Sequence, residues 1–348
     1  MKLWKIMNRK QFRRMISENY IRKRKHPFLD LYILNYTEHA QFEGKWNKAT
    51  RRCRGLIIDG DYNIISRPFE KFFNYGDRNT PVLPLDASVE VTDKMDGSLG
   101  IYWQFQGHYG IATRGSFDSD QAIHATKIWK EKYNFKIAED WTYLFEIVYP
   151  ENRIVLDYGD TDDLILLGVM DIEEGSVIPA KSVHTWRGSR TTTYPFTTLS
   201  EALAAPPRAN AEGYVVYFPD LDCRVKIKQE DYIQLHRVVT GLTKRRIWEN
   251  MKAGKTLPDL LEIVPDEWHS WLSEVYDDLS KKWTDIYDSI EQEFIFITSQ
   301  LPKNCHRIDV AYAVEILGIE NTGLFYALYA GKDISSSVWD MIRPGPDT

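Results

Sequence analysis

The stretch Lys94-Met95-Asp96-Gly97-Ser98 sets one lysine at the end of a strand-like run, Ser88-Val89-Glu90-Val91-Thr92, and at the mouth of an Asp-Gly turn. A turn of that kind fixes the backbone and aims the amine at whatever lies over the loop. A lysine that is partly desolvated and close to other cations gives up its proton readily and becomes a nucleophile. The same residues also suit a surface hairpin with a solvated lysine, so the rest of the chain has to decide.

Later segments supply suitable companions. Arg224-Val225-Lys226-Ile227-Lys228 alternates cationic and apolar side chains, so Lys226 and Lys228 share one strand face while Val225 and Ile227 pack on the other. Two adjacent ammonium groups repel unless an anion lies between them. A phosphate would serve, and so would water on an exposed strand. Glu146, in Leu144-Phe145-Glu146-Ile147-Val148, has apolar neighbours on both faces, as in a buried central strand. A buried carboxylate needs a partner: Arg153 in a structural pair, or a ligand hydroxyl such as that of a ribose. Glu212 opens the run Gly213-Tyr214-Val215-Val216, where it could share in a hydrated Mg²⁺ shell or face water as a turn residue. Arg54 follows Arg51 and Arg52, and Lys71 lies in Arg67-Pro-Phe-Glu-Lys-Phe-Phe-Asn74. Guanidinium and ammonium groups both bind phosphate well. Neither a Gly-x-x-x-x-Gly-Lys-Ser/Thr loop nor a Gly-x-Gly-x-x-Gly turn is present, so P-loop and Rossmann nucleotide binding are unsupported.

The elements that must position these groups read as an α+β chain. The pattern predicts a helix over 8–19 and strands over 31–36, 54–59 and 63–66. Short β-rich runs follow at 101–105, 110–113, 143–149, 164–170 and 214–218, with a helix at 119–133 and a tight connection, Pro219-Asp220-Leu221-Asp222, into 224–228. Near residue 240 the period changes. Trp268, Trp271, Leu272, Val275, Leu279, Trp283, Ile286, Ile290, Phe294 and Ile297 recur three or four apart, the apolar stripe of a long helix, and 308–317 and 324–329 read as further helices. The expected domains are therefore 1–239, β-rich with a basic N-terminal segment, and 240–348, all helical.

Composition sets outer bounds. The 348 residues are 27% charged and 43% hydrophobic, ordinary for a soluble globular chain. No apolar run is long enough to span a bilayer, and the N-terminus lacks a signal-peptide pattern, so a cytoplasmic location with no membrane partner is expected. Cys53, Cys223 and Cys305 have no zinc spacing. The net charge of −6 hides a gradient: residues 1–54 carry fifteen Lys/Arg against four Asp/Glu, whereas 55–239 carry eighteen against twenty-eight and 240–348 eleven against eighteen. The basic start, with Arg13, Arg14 and Arg22-Lys23-Arg24-Lys25, suits contact with a polyanion or a solvated basic helix.

In this order the pieces resemble the covalent nucleotidyltransferases: RNA ligases, DNA ligases and mRNA capping enzymes. Lys94-Met95-Asp96-Gly97 matches their Lys-x-Asp-Gly nucleophile motif. Arg54-Gly55, Phe145-Glu146-Ile147, Glu212-Gly213-Tyr214-Val215 and Lys226-Ile227-Lys228 look like the accompanying nucleotide-binding motifs. The chain is most similar to the ATP-dependent RNA ligases of the T-even phage tRNA-repair type, through 67–74, Pro150-Glu-Asn-Arg-Ile-Val155, and, more loosely, Leu324-Phe325 and Leu328 to Asp333. Where Arg114 stands, that family often has a lysine.

The resemblance implies an ATP-grasp-like adenylation domain followed by an all-α domain that selects RNA. It implies ATP as substrate with Mg²⁺ or Mn²⁺, and RNA bearing 5′-phosphate and 3′-hydroxyl ends as partner, with tRNA as precedent. Lys94 would take up AMP and pass it to the 5′-phosphate, after which a 3′-hydroxyl would displace AMP. Lys226 and Lys228 would hold the α-phosphate. Arg54 and Lys71 would hold phosphates, and Glu146 the ribose. Tyr36 and Phe73 would line the pocket, with Tyr232 close by, and Glu212 and Asp259 would serve the metal. The alternatives are a module that binds nucleic acid without catalysis and a polynucleotide ligase that also accepts DNA ends. A DNA ligase or capping enzyme should continue into a β-barrel after Lys228, whereas this chain turns helical.

Overall fold

The computed structural model describes residues 1–135, 137–233, 242–264, 268–302 and 305–345. The chain divides into two compact units, Met1–Val239 and Thr240–Thr348. In the first, Asn8 caps the helix Arg9–Ser17 by accepting from the Gln11 amide at 3.0 Å, and that helix buries Phe12 and Met15. A four-stranded antiparallel sheet follows: β1 (Ile21–Lys25), β2 (Leu31–Tyr36), β3 (Arg54–Asp59) and β4 (Ile64–Ser66).

The remaining strands, in chain order, are β5 (Phe73–Asn74), β6 (Glu90–Asp93), β7 (Ser98–Phe105), β8 (His108–Ala112), β9 (Trp141–Val148), β10 (Asp163–Asp171), β11 (Val177–Pro179), β12 (Thr193–Tyr194), β13 (Gly213–Phe218) and β14 (Cys223–Lys228). They form two five-stranded sheets, ordered β11-β10-β9-β7-β8 and β12-β6-β13-β14-β5. The central place of β9 explains its apolar composition: Phe145 and Ile147 enter one core cluster and Leu144 another. The helix Asp120–Ile128 and the π-helical turn Trp129–Tyr133 cover one face of this sheet. Trp129 is fully buried there, stacked on Trp186 at 6.1 Å and tilted against Tyr102 at 4.8 Å.

The second unit contains the helices Lys244–Lys252, Leu257–Ile263, His269–Gln300, Arg307–Ile316, Thr322–Tyr329 and Ser335–Met341, with no strand among its described residues. The long apolar stripe read from the sequence forms a single helix of 32 residues. Its first turns pack Leu272, Val275 and Leu279 against Ile247, Trp248, Met251 and Leu260. Among the described residues no helix is long and apolar enough to cross a membrane.

Of the two readings of the basic run, the solvated helix does not apply: Arg22–Lys25 lies in β1, an edge strand paired with β2, with Arg22, Arg24 and Lys25 exposed. Arg22 reaches Glu38 at 3.1 Å, Arg24 reaches Asp118 at 2.7 Å, and the Lys23 ammonium sits 3.7 Å above the Tyr32 ring. Replacing Trp129 with Ala should destabilise the first unit by about 3–5 kcal/mol, the usual cost of emptying an aromatic core site. Urea denaturation followed by far-ultraviolet circular dichroism measures that loss.

Candidate active site

A cleft of about 410 Å³ is lined from both five-stranded sheets and by Arg54 at the start of β3. The chain leaves β6 at Lys94, whose amide donates to the Gly213 carbonyl at 3.0 Å. Gly213 has φ +144°, and a Cβ there would meet the Ile227 carbonyl oxygen at 1.9 Å. Only glycine lets β13 approach β14 so closely, and that approach carries Glu212 to the side of Lys94. Along β13 and β14 the side chains alternate: Tyr214, Val216 and Val225 enter the core, whereas Val215, Tyr217, Arg224, Lys226 and Lys228 face the cleft. The shared face of Lys226 and Lys228 is thus present.

Glu212 organises the centre. Its Oε1 accepts from Lys94 Nζ at 2.7 Å and from Lys228 Nζ at 2.9 Å. All three side chains are withdrawn from water, with exposures of 3% for Glu212, 9% for Lys228 and 19% for Lys94. Burial opposes the charge on Glu212, but the two ammonium groups outweigh it and hold the carboxyl below its ordinary value. Glu146, which enters the cleft from β9, behaves oppositely. Burial pushes its carboxyl up to about 8; Lys94 and Arg54 pull it down and Glu212 adds to the rise. The structural partner weighed for it, Arg153, instead pairs with Asp157 at 3.1 Å.

The nucleophile-like loop is fixed by its own Asp and Gly. Asp96 is buried. Its Oδ2 accepts from the Val155 and Leu156 amides, both at 2.9 Å, and its Oδ1 accepts from the Tyr232 hydroxyl at 2.9 Å. Its own amide donates to the Tyr158 hydroxyl at 2.9 Å. A Cβ on Gly97 would meet the Ile147 carbonyl oxygen at 2.6 Å, so glycine is what allows the loop to lie against β9. Tyr158 was not foreseen; it stands three residues beyond Pro150–Val155, the stretch that the sequence singled out.

Arg54 and Arg114 line the cleft, and Arg114 Nη1 donates to the Tyr36 hydroxyl at 2.9 Å. Lys71, Tyr36 and Phe73 are not among the residues lining that cleft. The Lys71 ammonium is buried 5.4 Å from the Tyr36 ring and 5.5 Å from the rings of Trp46 and Phe73, and lines a neighbouring cavity. Trp46 was missed because one tryptophan in a loop carries no period. Asp259 has a local structural role, in the second unit. It is exposed and closes a capping box, accepting from the Thr256 amide and hydroxyl at 2.8 and 2.7 Å, which suffices to explain an acidic residue there.

The donor set suits a nucleotide. Cationic Arg54, Lys226 and Lys228 surround Lys94 for phosphates, Glu146 can accept from a sugar hydroxyl, and Phe69, Phe72 and Val215 offer apolar surface for a base. For a metal the fit is partial. Among the described residues no three His, Cys, Asp or Glu side chains form a metal cage. With Glu212 Oε1 already held by two ammonium groups, a divalent ion would depend mainly on phosphate oxygens and water.

A family model described as RNA ligase matches residues 52–232. The RNA ligase of Rhodothermus phage RM378 is 24% identical over 386 residues, covering 87% of this chain and 86% of that protein. RNA ligase 1 of Bacteriophage TS2126 is 28% identical over 146 residues, 36% of each chain. Among solved structures, a variant of Naegleria gruberi RNA ligase with ATP and Mn gives a TM-score of 0.35 at 16% identity over 44% of this chain, which spans about half (53%) of that one. An archaeal ATP-dependent RNA ligase gives 0.44 at 12% identity, covering 70% of this chain and 64% of that one.

The raised Glu146 carboxyl has a consequence for pH. It gains a proton on folding between its ordinary value of 4.5 and about 8. The resulting stabilisation is complete below the lower value and lost as pH rises through the upper one. Glu146→Gln should therefore gain stability relative to wild type as pH rises from about 5 to about 9. Denaturation midpoints of both proteins across that range read the difference; curves that stay parallel contradict it.

Proposed function

This chain belongs to the RNA ligase family, and from that membership and the cleft around Lys94 we propose ATP-dependent joining of RNA 5′-phosphate and 3′-hydroxyl ends through a lysyl-AMP. The observation that carries the reading is one lysine, Lys94, set in a nucleotide-sized cleft with Arg54, Lys226 and Lys228. Phosphoryl-transfer steps concentrate charge on phosphate oxygens, and fixed cations stabilise that charge without reorganising.

In the first step the neutral amine of Lys94 attacks the α-phosphorus of ATP. The P–N bond forms, the amine nitrogen gives up a proton to water, the α–β bridging P–O bond breaks, and pyrophosphate leaves. Lys226 and Lys228 bind the α-phosphate, Arg54 the neighbouring phosphates, and Glu146 the ribose. In the second step an oxygen of the RNA 5′-phosphate attacks the adenylate phosphorus, the P–N bond breaks, and Lys94 recovers its proton. In the third, the 3′-hydroxyl loses its proton as it attacks the activated 5′-phosphate, and AMP departs. A divalent cation, Mg²⁺ or Mn²⁺, would screen phosphate charge, held by those oxygens, by water, and by Glu212 or Glu146. Residues 240–348 would select the RNA, and repair of broken RNA, tRNA included, is the role that the resemblance to phage ligases favours.

With α-labelled ATP and Mg²⁺ the protein should acquire an acid-labile, alkali-stable covalent label, and Lys94→Ala should acquire none. Label persisting in Lys94→Ala would refute the nucleophile. The double variant Lys226→Ala/Lys228→Ala should form the adduct at least about a hundredfold more slowly, the scale of losing oriented charge stabilisation. Rapid-quench assays read the rate. Parallel ligation of 5′-phosphorylated RNA and DNA strands, single-stranded and nicked, tests the substrate class.

A further inference from the structure

Next to the cleft lies a second cavity, of about 240 Å³, with an unusual lining: Arg51, Arg52, Arg67, Lys71 and Arg224. Two carboxylates, Glu70 and Asp222, accompany these five cations, leaving an excess of three positive charges. Several of the groups are held in place by the fold. Arg51 and Arg52 end the helix Lys48–Arg52, and the Lys71 amide donates to the Arg51 carbonyl at 2.8 Å, which ties the two segments together. Arg67 Nη1 donates to the Ile172 and Glu173 carbonyls at 3.1 and 3.3 Å. Arg224 projects from β14 beneath the Tyr217 ring, 3.9 Å away, and beside Phe69 at 4.6 Å. Glu70 takes up one side of Arg52 at 2.8 Å.

Like charges gathered in a hollow repel, and a fold retains them at a cost unless an anion enters. Burial and the neighbouring Arg52 both hold Arg67 below its ordinary value, and burial does the same to Arg224. Two residues, Arg224 and Phe72, line both this cavity and the cleft. An anion bound in the cavity is therefore separated by a single wall from the nucleotide-sized space around Lys94. The cleft has its own phosphate-binding cations in Arg54, Lys226 and Lys228. A polynucleotide carries a phosphate on every nucleotide, so a strand whose end lies in the cleft must place its next phosphates on adjoining surface.

We propose that the Arg51/Arg52/Arg67/Arg224 cavity binds a backbone phosphate of the RNA whose end is being joined. The proposal rests on the ligase reading. The same phosphate chemistry could come from the outgoing pyrophosphate of ATP, and the two sources separate by step.

The test uses the full-length protein with two variants, Arg51→Gln/Arg52→Gln and Glu70→Gln. Self-adenylation is measured with α-labelled ATP, and binding of a 5′-phosphorylated single-stranded RNA by fluorescence anisotropy over a salt series. The double variant should self-adenylate within about twofold of wild type while RNA affinity drops about tenfold, with a salt slope shallower by about one contact. Glu70→Gln removes an internal counter-charge and should tighten RNA binding several-fold. Opposite signs in the two variants are what a purely structural role cannot produce. Slowed self-adenylation with unchanged RNA binding would assign the cavity to ATP phosphates and overturn the proposal. Unchanged RNA binding in both variants, or equal weakening in both, would overturn it too. Absence of self-adenylation in the wild type would instead strike the ligase reading, while RNA binding would still report on the cavity.

Discussion

One buried carboxylate held by two half-buried ammonium groups is the interaction on which the cleft depends. Glu212 Oε1 serves Lys94 and Lys228 together, almost without water. Without that carboxylate, two cations would face each other in a poorly solvated space, a strongly unfavourable arrangement. The sheet order β6-β13-β14 therefore does more than support Lys94: it brings the counter-charge and the second cation to it. The triad also constrains chemistry. An ammonium group cannot attack phosphorus, so in the proposed reaction Lys94 must lose a proton and with it one ion pair. Once its nitrogen is bonded to phosphorus it carries no positive charge, and Glu212 keeps only Lys228. The oxygen so released is where a cation, or water held by one, becomes favourable. In the proposed reaction, resting and loaded states thus differ by a charge exchange at one carboxylate.

The basic start of the chain reads differently once its charges are placed. Fifteen Lys/Arg within residues 1–54 suggested a surface for a polyanion. Part of that charge is matched locally at the surface. Arg22 and Arg24 have carboxylate partners, and Lys23 lies on an aromatic ring. The cations that remain gathered, Arg51 and Arg52, are at the end of the segment and meet Arg67 and Arg224 from elsewhere in the chain. Net charge over a segment therefore says little about where an anion binds; the meeting of cations from several elements in one hollow says more.

What could be read from the sequence was what local pattern determines. A period of two fixed the shared face of Lys226 and Lys228, apolar flanks fixed Glu146 on a central strand, and a period near 3.6 fixed the helix His269–Gln300. What could not be read depends on encounters between distant segments. The box of rings around Lys71 is one such encounter: Tyr36, Trp46 and Phe73 come from three different parts of the chain, and the ammonium they enclose also lines the second cavity. Asp259 looked like a metal-associated acid by its place in order, but an acidic residue three positions after Thr256 is also what a helix start requires. The strand β1 was hidden because four consecutive basic residues mask any alternation.

Asp96 shows how a motif residue can act through the backbone it holds. Its carboxylate accepts from two backbone amides and one hydroxyl, so its lone pairs are largely committed. The donors come from the segment after Pro150 and from Tyr232, whose ring also lies 5.3 Å from the Lys228 ammonium. A single buried carboxylate thereby joins the loop of Lys94, the strand exit that carries Lys228, and the connection following β9. Asparagine would keep one acceptor oxygen but place an NH₂ group against donors. The resulting mismatch would fall on the loop that sets the angle of Lys94, so the hydrogen-bond geometry by itself accounts for aspartate at this position.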